Sequence, residues 1–138
     1  MYDLIIIGGG PGGVAAGVYA ARKKIKSALV TDDFGGQSFD SSEIQNWIGE
    51  KSISGYDLAK KLEEHLRSQP GVDIFENDRV LKVEKNRDGF KVLTQGGKSL
   101  DSKTILVVSG SHRKKLGVPG EKEFNGKGVV YCATCDAP

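Results

Sequence analysis

The residues best able to do chemistry in this chain are two thiols with two residues between them, Cys132-Ala133-Thr134-Cys135, followed directly by Asp136. They are the only cysteines in 138 residues. Paired thiols at this spacing interconvert between dithiol and disulfide, so redox exchange is the favoured chemistry. The pair is expected to open a helix, where the dipole favours a thiolate. Asp136 then either moves a proton or simply stabilises the helix start. A structural disulfide closing so short a loop would constrain the unfolded chain very little. Zinc needs about four ligands, and the other soft candidates, His65 and His112, are far apart in sequence, so no metal site is expected. Incidental buried thiols remain the bland alternative.

A dithiol needs an electron source, and the beginning of the chain offers a place for one. Leu4-Ile5-Ile6-Ile7 is a continuous apolar run of the kind buried on both faces of a parallel sheet. Gly8-Gly9-Gly10-Pro11-Gly12-Gly13 follows it, then the small residues Val14 to Ala21. In a dinucleotide fingerprint Gly8 permits the turn, Gly10 lets a pyrophosphate approach the backbone, and Gly13 lets the helix pack close to the sheet. The free N–H groups of that helix start attract an anion. Taken alone, such a pattern is as often a mere chain reversal. Here the second apolar run, Ser27 to Thr31, ends at Asp32, 19 positions beyond Gly13. A carboxylate about 20 residues on is the expected partner of an adenosine ribose, and Asp33 is the alternative if that strand runs longer.

The elements that must hold these groups read as an α/β fold. It is a Rossmann-like parallel sheet with helices and an inserted antiparallel β-meander, and 138 residues are on length alone one domain able to bury a core. A first helix is expected from Pro11 to Lys24, slim through Ala15, Ala16, Ala20 and Ala21, with Tyr19 in the core. From Asp32 to Ile53 the chain is a long polar loop, and such loops are usually functional or disordered. It offers Gly35-Gly36-Gln37 and Asn46-Trp47, with Ile44, Trp47 and Ile48 expected to cover the domain's flank. Ser54 and Asp57 announce a capped second helix carrying Leu58, Leu62 and Leu66 on one face, with His65 in water, ended by Pro70-Gly71. Val72 to Phe75 is a third strand. Val80–Val83, Phe90–Thr94 and Ser99-Leu100, joined by glycine-bearing turns, form the meander. Thr104 to Val108 then returns to the parallel sheet and ends in Ser109-Gly110-Ser111, with His112 exposed beyond it. Arg113 to Lys127 has the composition of a linker, and Val129–Tyr131 forms a brief strand before the cysteines. The expected division is residues 1–112 as the dinucleotide-binding domain and 113–138 as linker and start of a second.

Composition narrows the partners. Twenty basic residues face 18 acidic ones for a net charge of +2, which suits neither nucleic acid nor an anionic membrane. The runs Arg22-Lys23-Lys24 and Arg113-Lys114-Lys115 are short and lack interleaved aromatics, so they read as solvated. No apolar run reaches the length of a membrane span, and a strand from Asp3 leaves no room for a signal peptide. A soluble, cytoplasmic protein is expected.

An ordered set of motifs resembles the low-molecular-weight thioredoxin reductases. It comprises Gly8 to Gly13, Gly35-Gly36-Gln37, Asn46-Trp47-Ile48-Gly49, Leu116-Gly117-Val118-Pro119-Gly120-Glu121 and Tyr131-Cys132-Ala133-Thr134-Cys135-Asp136. The resemblance covers essentially the full length. It implies that the dinucleotide is FAD, with Gly8, Gly10, Pro11, Gly12 and Gly13 at its pyrophosphate and Asp32 on its ribose. Gly36, Gln37, Asn46, Ser109 and Gly110 would then lie along it. It implies further that Cys135 faces the flavin, Cys132 exchanges with a thioredoxin-type protein and Asp136 handles the proton, with NADPH the electron donor and a homodimer the assembly. Three residues depart from the pattern: Val108-Ser109-Gly110 stands where Ala-Thr-Gly is usual, and Ala137 replaces a glycine. The family's second glycine fingerprint, which holds NADPH, and its returning Gly-Asp strand lie outside this sequence, so near-zero NADPH turnover by this chain alone is expected. The alternatives are a flavin- or adenine-nucleotide-binding module without catalysis and a related flavoprotein reductase serving another redox partner.

Overall fold

The computed structural model describes residues 1–112 and 114–131. Strand β1 (Tyr2–Gly9) leads into helix α1 (Pro11–Arg22), then β2 (Ser27–Phe34), a 3-10 helix (Gly36–Asp40), α2 (Gly55–Arg67), β3 (Val72–Phe75), β4 (Val80–Asn86), β5 (Gly89–Thr94) and β6 (Ser99–Val107). One six-stranded sheet takes the order β3-β2-β1-β6-β5-β4. β3, β2, β1 and β6 run parallel, and β5 and β4 continue the sheet antiparallel. This is the expected Rossmann-like arrangement with its meander.

Period-two alternation in β1 and β2 feeds two cores. Ile6 and Leu29 point into one with Val14 and Val18 of α1, Phe34, and Leu66 of α2. Their neighbours Ile5, Ala28 and Val30 point the other way and meet Val92 of β5, with Val80, Leu100 and Phe75 packed alongside. Helices therefore cover one face and the meander covers the other. The central strands are apolar on both sides because neither side meets water.

The meander and the returning strand are not separate elements. β6 is continuous: Ser99 to Ser102 pairs antiparallel with β5, and Ser102 to Val107 pairs parallel with β1. Other sequence expectations shift in detail. Helix α1 stops at Arg22, because Lys24 adopts a left-handed φ of 57°. Tyr19 is 68% exposed rather than core. The face of α1 that packs is Gly13, Val14, Gly17, Val18 and Ala20, and a Cβ on Gly17 would sit 2.6 Å from Leu66 Cδ1. The helix-to-helix contact is thus made by a glycine and a leucine. Strand β2 runs on to Phe34, past both Asp32 and Asp33, so strand length alone does not choose between the two acids. The long polar loop carries a 3-10 helix and is pinched by backbone hydrogen bonds between Ile44 and Ile53 of 2.8 and 3.0 Å. Ile48 is 96% exposed and covers nothing. Helix α2 has its predicted cap, with Ser54 Oγ accepting from the Asp57 N–H at 3.0 Å. Val129 makes only an isolated bridge to Asn125, so the brief strand expected at Val129–Tyr131 is absent.

One buried carboxylate clasps the meander to the parallel sheet. Asp78, 3% exposed, accepts from Thr94 Oγ1 at 2.8 Å, the Gly96 N–H at 2.8 Å and Lys98 Nζ at 3.2 Å. Its own N–H donates to Thr31 O at 3.1 Å. These donors, the Gly96 amide foremost, hold its carboxyl below the usual aspartate range against the opposing pull of burial. A carboxyl lowered on folding contributes stability that is present above the ordinary aspartate pKa of about 3.9 and is lost as pH falls through the folded value. Urea-unfolding midpoints should therefore drop as pH falls below about 4, and Asp78→Asn should lower the midpoint at neutral pH while flattening that acid limb. An acid limb of unchanged steepness in the variant would remove Asp78 from this role.

Candidate dinucleotide site

The glycine turn is built by three close approaches. Gly8 has a φ of 117°, and a Cβ there would lie 2.4 Å from Val108 O. Gly13 lies so near the strand end that a Cβ would meet Gly8 O at 1.8 Å. Gly9 lies against β2, its Cβ position 2.5 Å from Thr31 Oγ1. Gly10 differs, because nothing stands within 4 Å of where its Cβ would be. That open side belongs to the N-cap of α1, which has no side-chain cap and no acidic residue in its first turn. Pro11 has no N–H to leave unpaired, and the first free amides of the helix belong to Gly12 and Gly13. An anion at this helix start meets unsatisfied donors and the positive end of the dipole.

Two further predicted segments close on the turn. Gly35 donates its N–H to Gly9 O at 3.2 Å. Gly36, at a φ of 54°, places its Cβ position 3.6 Å from Gly10 Cα. Gly35 is itself pressed against α2, where a Cβ would come within 2.6 Å of Ala59 Cβ. Gln37 Nε2 donates to Ser111 Oγ at 3.3 Å, which joins the 3-10 helix to the loop after β6. Val108 lies beneath Gly12 and Gly13, with its methyls 3.7 and 3.4 Å from their Cβ positions, so Ser109 and Gly110 leave the sheet beside the turn. Gly8, Gly10, Pro11, Gly12, Gly13, Gly36, Gln37, Ser109 and Gly110 thus gather at one end of the sheet. Asn46 lies in the pinched loop, and among the described residues no hydrogen bond joins its side chain to the turn. Cys132, Cys135 and Asp136 lie outside the described residues.

Asp32 is carried to the same end by a register shift. Ile7 faces Val30 and Gly9 faces Phe34, so β2 carries extra residues there. Such an irregularity bends the strand and re-aims its side chains. Thr31 turns inward and donates its hydroxyl to Asp33 O. Asp32 is exposed, and its Oδ2 accepts from Arg79 Nη2 at 2.7 Å. Asp32 and Asp33 line a cleft with Phe34, Phe39, Ala59 and Lys60. Neither Arg79 nor the Gln37–Ser111 bond was visible in the sequence, because both join segments with no shared motif.

With this geometry in place, comparison with known proteins is decisive: residues 2–138 match the family described as Pyridine nucleotide-disulphide oxidoreductase. The chain belongs to that family. The NADH dehydrogenase of Bacillus subtilis is 40% identical over 137 residues, which is 99% of this chain and 26% of that protein. The alkyl hydroperoxide reductase F protein of Pseudomonas aeruginosa is 39% identical over 140 residues, covering 99% of this chain and 27% of its own length. Among solved structures, thioredoxin reductase from Streptococcus pyogenes superposes with a TM-score of 0.83 at 39% identity, over 99% of this chain and 44% of that one. The chain therefore spans about a quarter of the curated relatives it matches. Among the described residues no helix is long and apolar enough to cross a membrane.

The segment leading to the cysteines, read from sequence as a plain linker, is gathered by a second buried acid. Glu121, 6% exposed, accepts from the Leu116 N–H at 2.7 Å, the Gly117 N–H at 2.6 Å and the Tyr131 hydroxyl. These donors, Tyr131 first, hold the Glu121 carboxyl below its usual range, and the same bond raises the phenol.

The glycines divide by what they are for, and a pair of substitutions separates them. Gly13→Ala should destabilise the chain by at least about 3 kcal/mol, since backbone must move to admit the methyl. Gly10→Ala should stay within about 1 kcal/mol of the parent. Urea titration of both variants checks the contrast.

Proposed function

We propose that this chain is the FAD-binding portion of a pyridine-nucleotide-linked disulfide reductase, with Cys132 and Cys135 as its redox pair. The observation that carries the reading is the glycine turn: an uncapped helix start with an open face at Gly10, walled by Gly36 and by the Val108–Ser109 strand end. A Cβ would fill that cradle, and a diphosphate suits it by charge and by donors. Gly12 and Gly13 would hold the diphosphate by their amides, Asp32 would accept from the ribose, and Gln37, Ser109 and Gly110 would border the remainder. Asn46 is proposed on the flavin side by resemblance. Bound there, FAD supplies two-electron chemistry between a nicotinamide and a dithiol. Residues 1–112 are proposed as the dinucleotide-binding domain and 113–138 as the linker and opening of a nicotinamide domain that carries the thiols. A reducing, cytoplasmic setting suits such a pair.

The protein's own part in the thiol step is nucleophilic. Cys132 thiolate attacks a partner disulfide, one partner sulfur leaves as thiolate and takes a proton, and Cys135 then displaces the partner from the mixed disulfide. Asp136, which follows the pair directly in sequence, is the proposed acid/base for that proton. A thioredoxin-type protein is the proposed partner, supported by the structural likeness to thioredoxin reductases, and a homodimer is the proposed assembly of the full-length enzyme. The similarity to an alkyl hydroperoxide reductase protein favours a second reading, in which the receiving disulfide belongs to a peroxide-reducing partner.

The visible spectrum of the purified chain, with the released cofactor identified by chromatography, should show two flavin bands and FAD. A colourless chain that takes up no added FAD would refute the reading. For the thiols, the reduced chain mixed with oxidised thioredoxin should give a mixed disulfide that accumulates in Cys135→Ser and is lost in Cys132→Ser. Accumulation in the opposite variant would exchange the two roles.

A further inference from the structure

We propose that Arg79 is a positioning residue for the adenosine end of the site, holding one oxygen of Asp32 so that the other is free to accept from a ribose. The proposal rests on Asp32 as the ribose acid. Arg79 Nη2 donates to Asp32 Oδ2 at 2.7 Å across 47 residues of sequence, and both side chains are more than half exposed. An ion pair so open to water contributes little to folding. The Arg79 backbone, by contrast, is held from both directions. The preceding residue is the buried Asp78 of the meander clasp, and Arg79 O accepts from the Gln95 N–H at 2.7 Å. A flexible side chain on a fixed base is suited to presenting a guanidinium at one place.

Charge supports the assignment. Asp32 and Asp33 are adjacent, and the neighbouring cleft also holds Glu63 and Glu76. Glu63 and Glu76 are paired with Arg67, and Glu63 with Lys60 as well. Among the described residues Arg79 is the cation on Asp32. Without it, two neighbouring carboxylates would meet a ligand that itself carries a diphosphate, and Asp32 would be free to rotate away from the sugar. The meander thereby supplies a second wall of the nucleotide site, and the class of ligand it serves is an adenine nucleotide with a free ribose hydroxyl.

Competition of ADP and 2′-deoxy-ADP against FAD bound to this chain tests the arm. The parent should prefer ADP by roughly tenfold, the size expected for a hydrogen bond to a charged acceptor. Arg79→Ala and Asp32→Asn should each bring that ratio close to unity, and the double variant should lose nothing further. Arg79→Lys should retain most of it. Thermal melts of the ligand-free Arg79 variants should match the parent, and Arg79→Gln replaces alanine if they do not. An Arg79→Ala chain that keeps the parental ratio, or a parent that binds FAD without preferring ADP, overturns the proposal and leaves the flavin reading standing. A parent with no affinity for FAD overturns both.

Discussion

The structure depends on how closely helix α1 approaches the end of strand β1. Gly13 sits where a single methyl would fall 1.8 Å from Gly8 O, so helix and strand are nearly in backbone contact. That contact fixes the direction of α1 over the sheet and brings its uncapped amides to the strand ends. The open side of Gly10 follows from it, since the chain must turn sharply between a strand and a helix that nearly touch. Helix α2 then packs behind, Leu66 against Gly17, and carries Ala59 to where Gly35 must turn. One steric constraint is in this way propagated through three glycines and two helices to the walls of the site.

The opposite face of the sheet does more than cover apolar strands. β6 is shared between antiparallel β5 and parallel β1, so the meander is continuous with the strand that ends at Val107, just before Ser109. Asp78 locks the meander's turn and reaches Thr31 O on β2, beside the bulge that exposes Asp32. A buried carboxylate persists only where donors replace its lost hydration, and Asp78 has a hydroxyl, an amide and an ammonium. Its environment makes it a structural acid, while Asp32, one strand away and in water, remains available to a ligand.

Glu121 repeats that solution near the end of the described chain. Leu116 to Gly120 has the composition of a slack connection, yet two of its amides converge on this buried acid together with the Tyr131 phenol. Tyr131 directly precedes Cys132, so the route to the thiols begins from a tethered residue rather than from a free linker. Val129 adds only one isolated bridge, and the polar tie through Glu121 takes the place of strand pairing.

Much of this was legible because periodicity and glycine spacing are local. Leu4 to Ile7 declared a strand buried on both faces, Ser54 and Asp57 declared a capped helix, and the Gly8–Gly13 pattern declared a tight strand-to-helix turn. Family membership was legible in the ordered motifs. Tyr19 and Ile48 were misplaced because side-chain type does not tell which way a helix is rotated or whether a loop lies down on its domain. Gly17 against Leu66, Gln37 to Ser111, Arg79 to Asp32 and the cages around Asp78 and Glu121 are pairings between segments that share no motif. No local pattern encodes them, since hydrogen bonds and close contacts form only where the packed layers bring their ends together. The sequence by itself determined the central parallel strands, the glycine turn and the pair of thiols. Only the tertiary structure decided which acids are buried braces and which stand in water, because desolvation and donor supply depend on what the fold packs around each carboxylate.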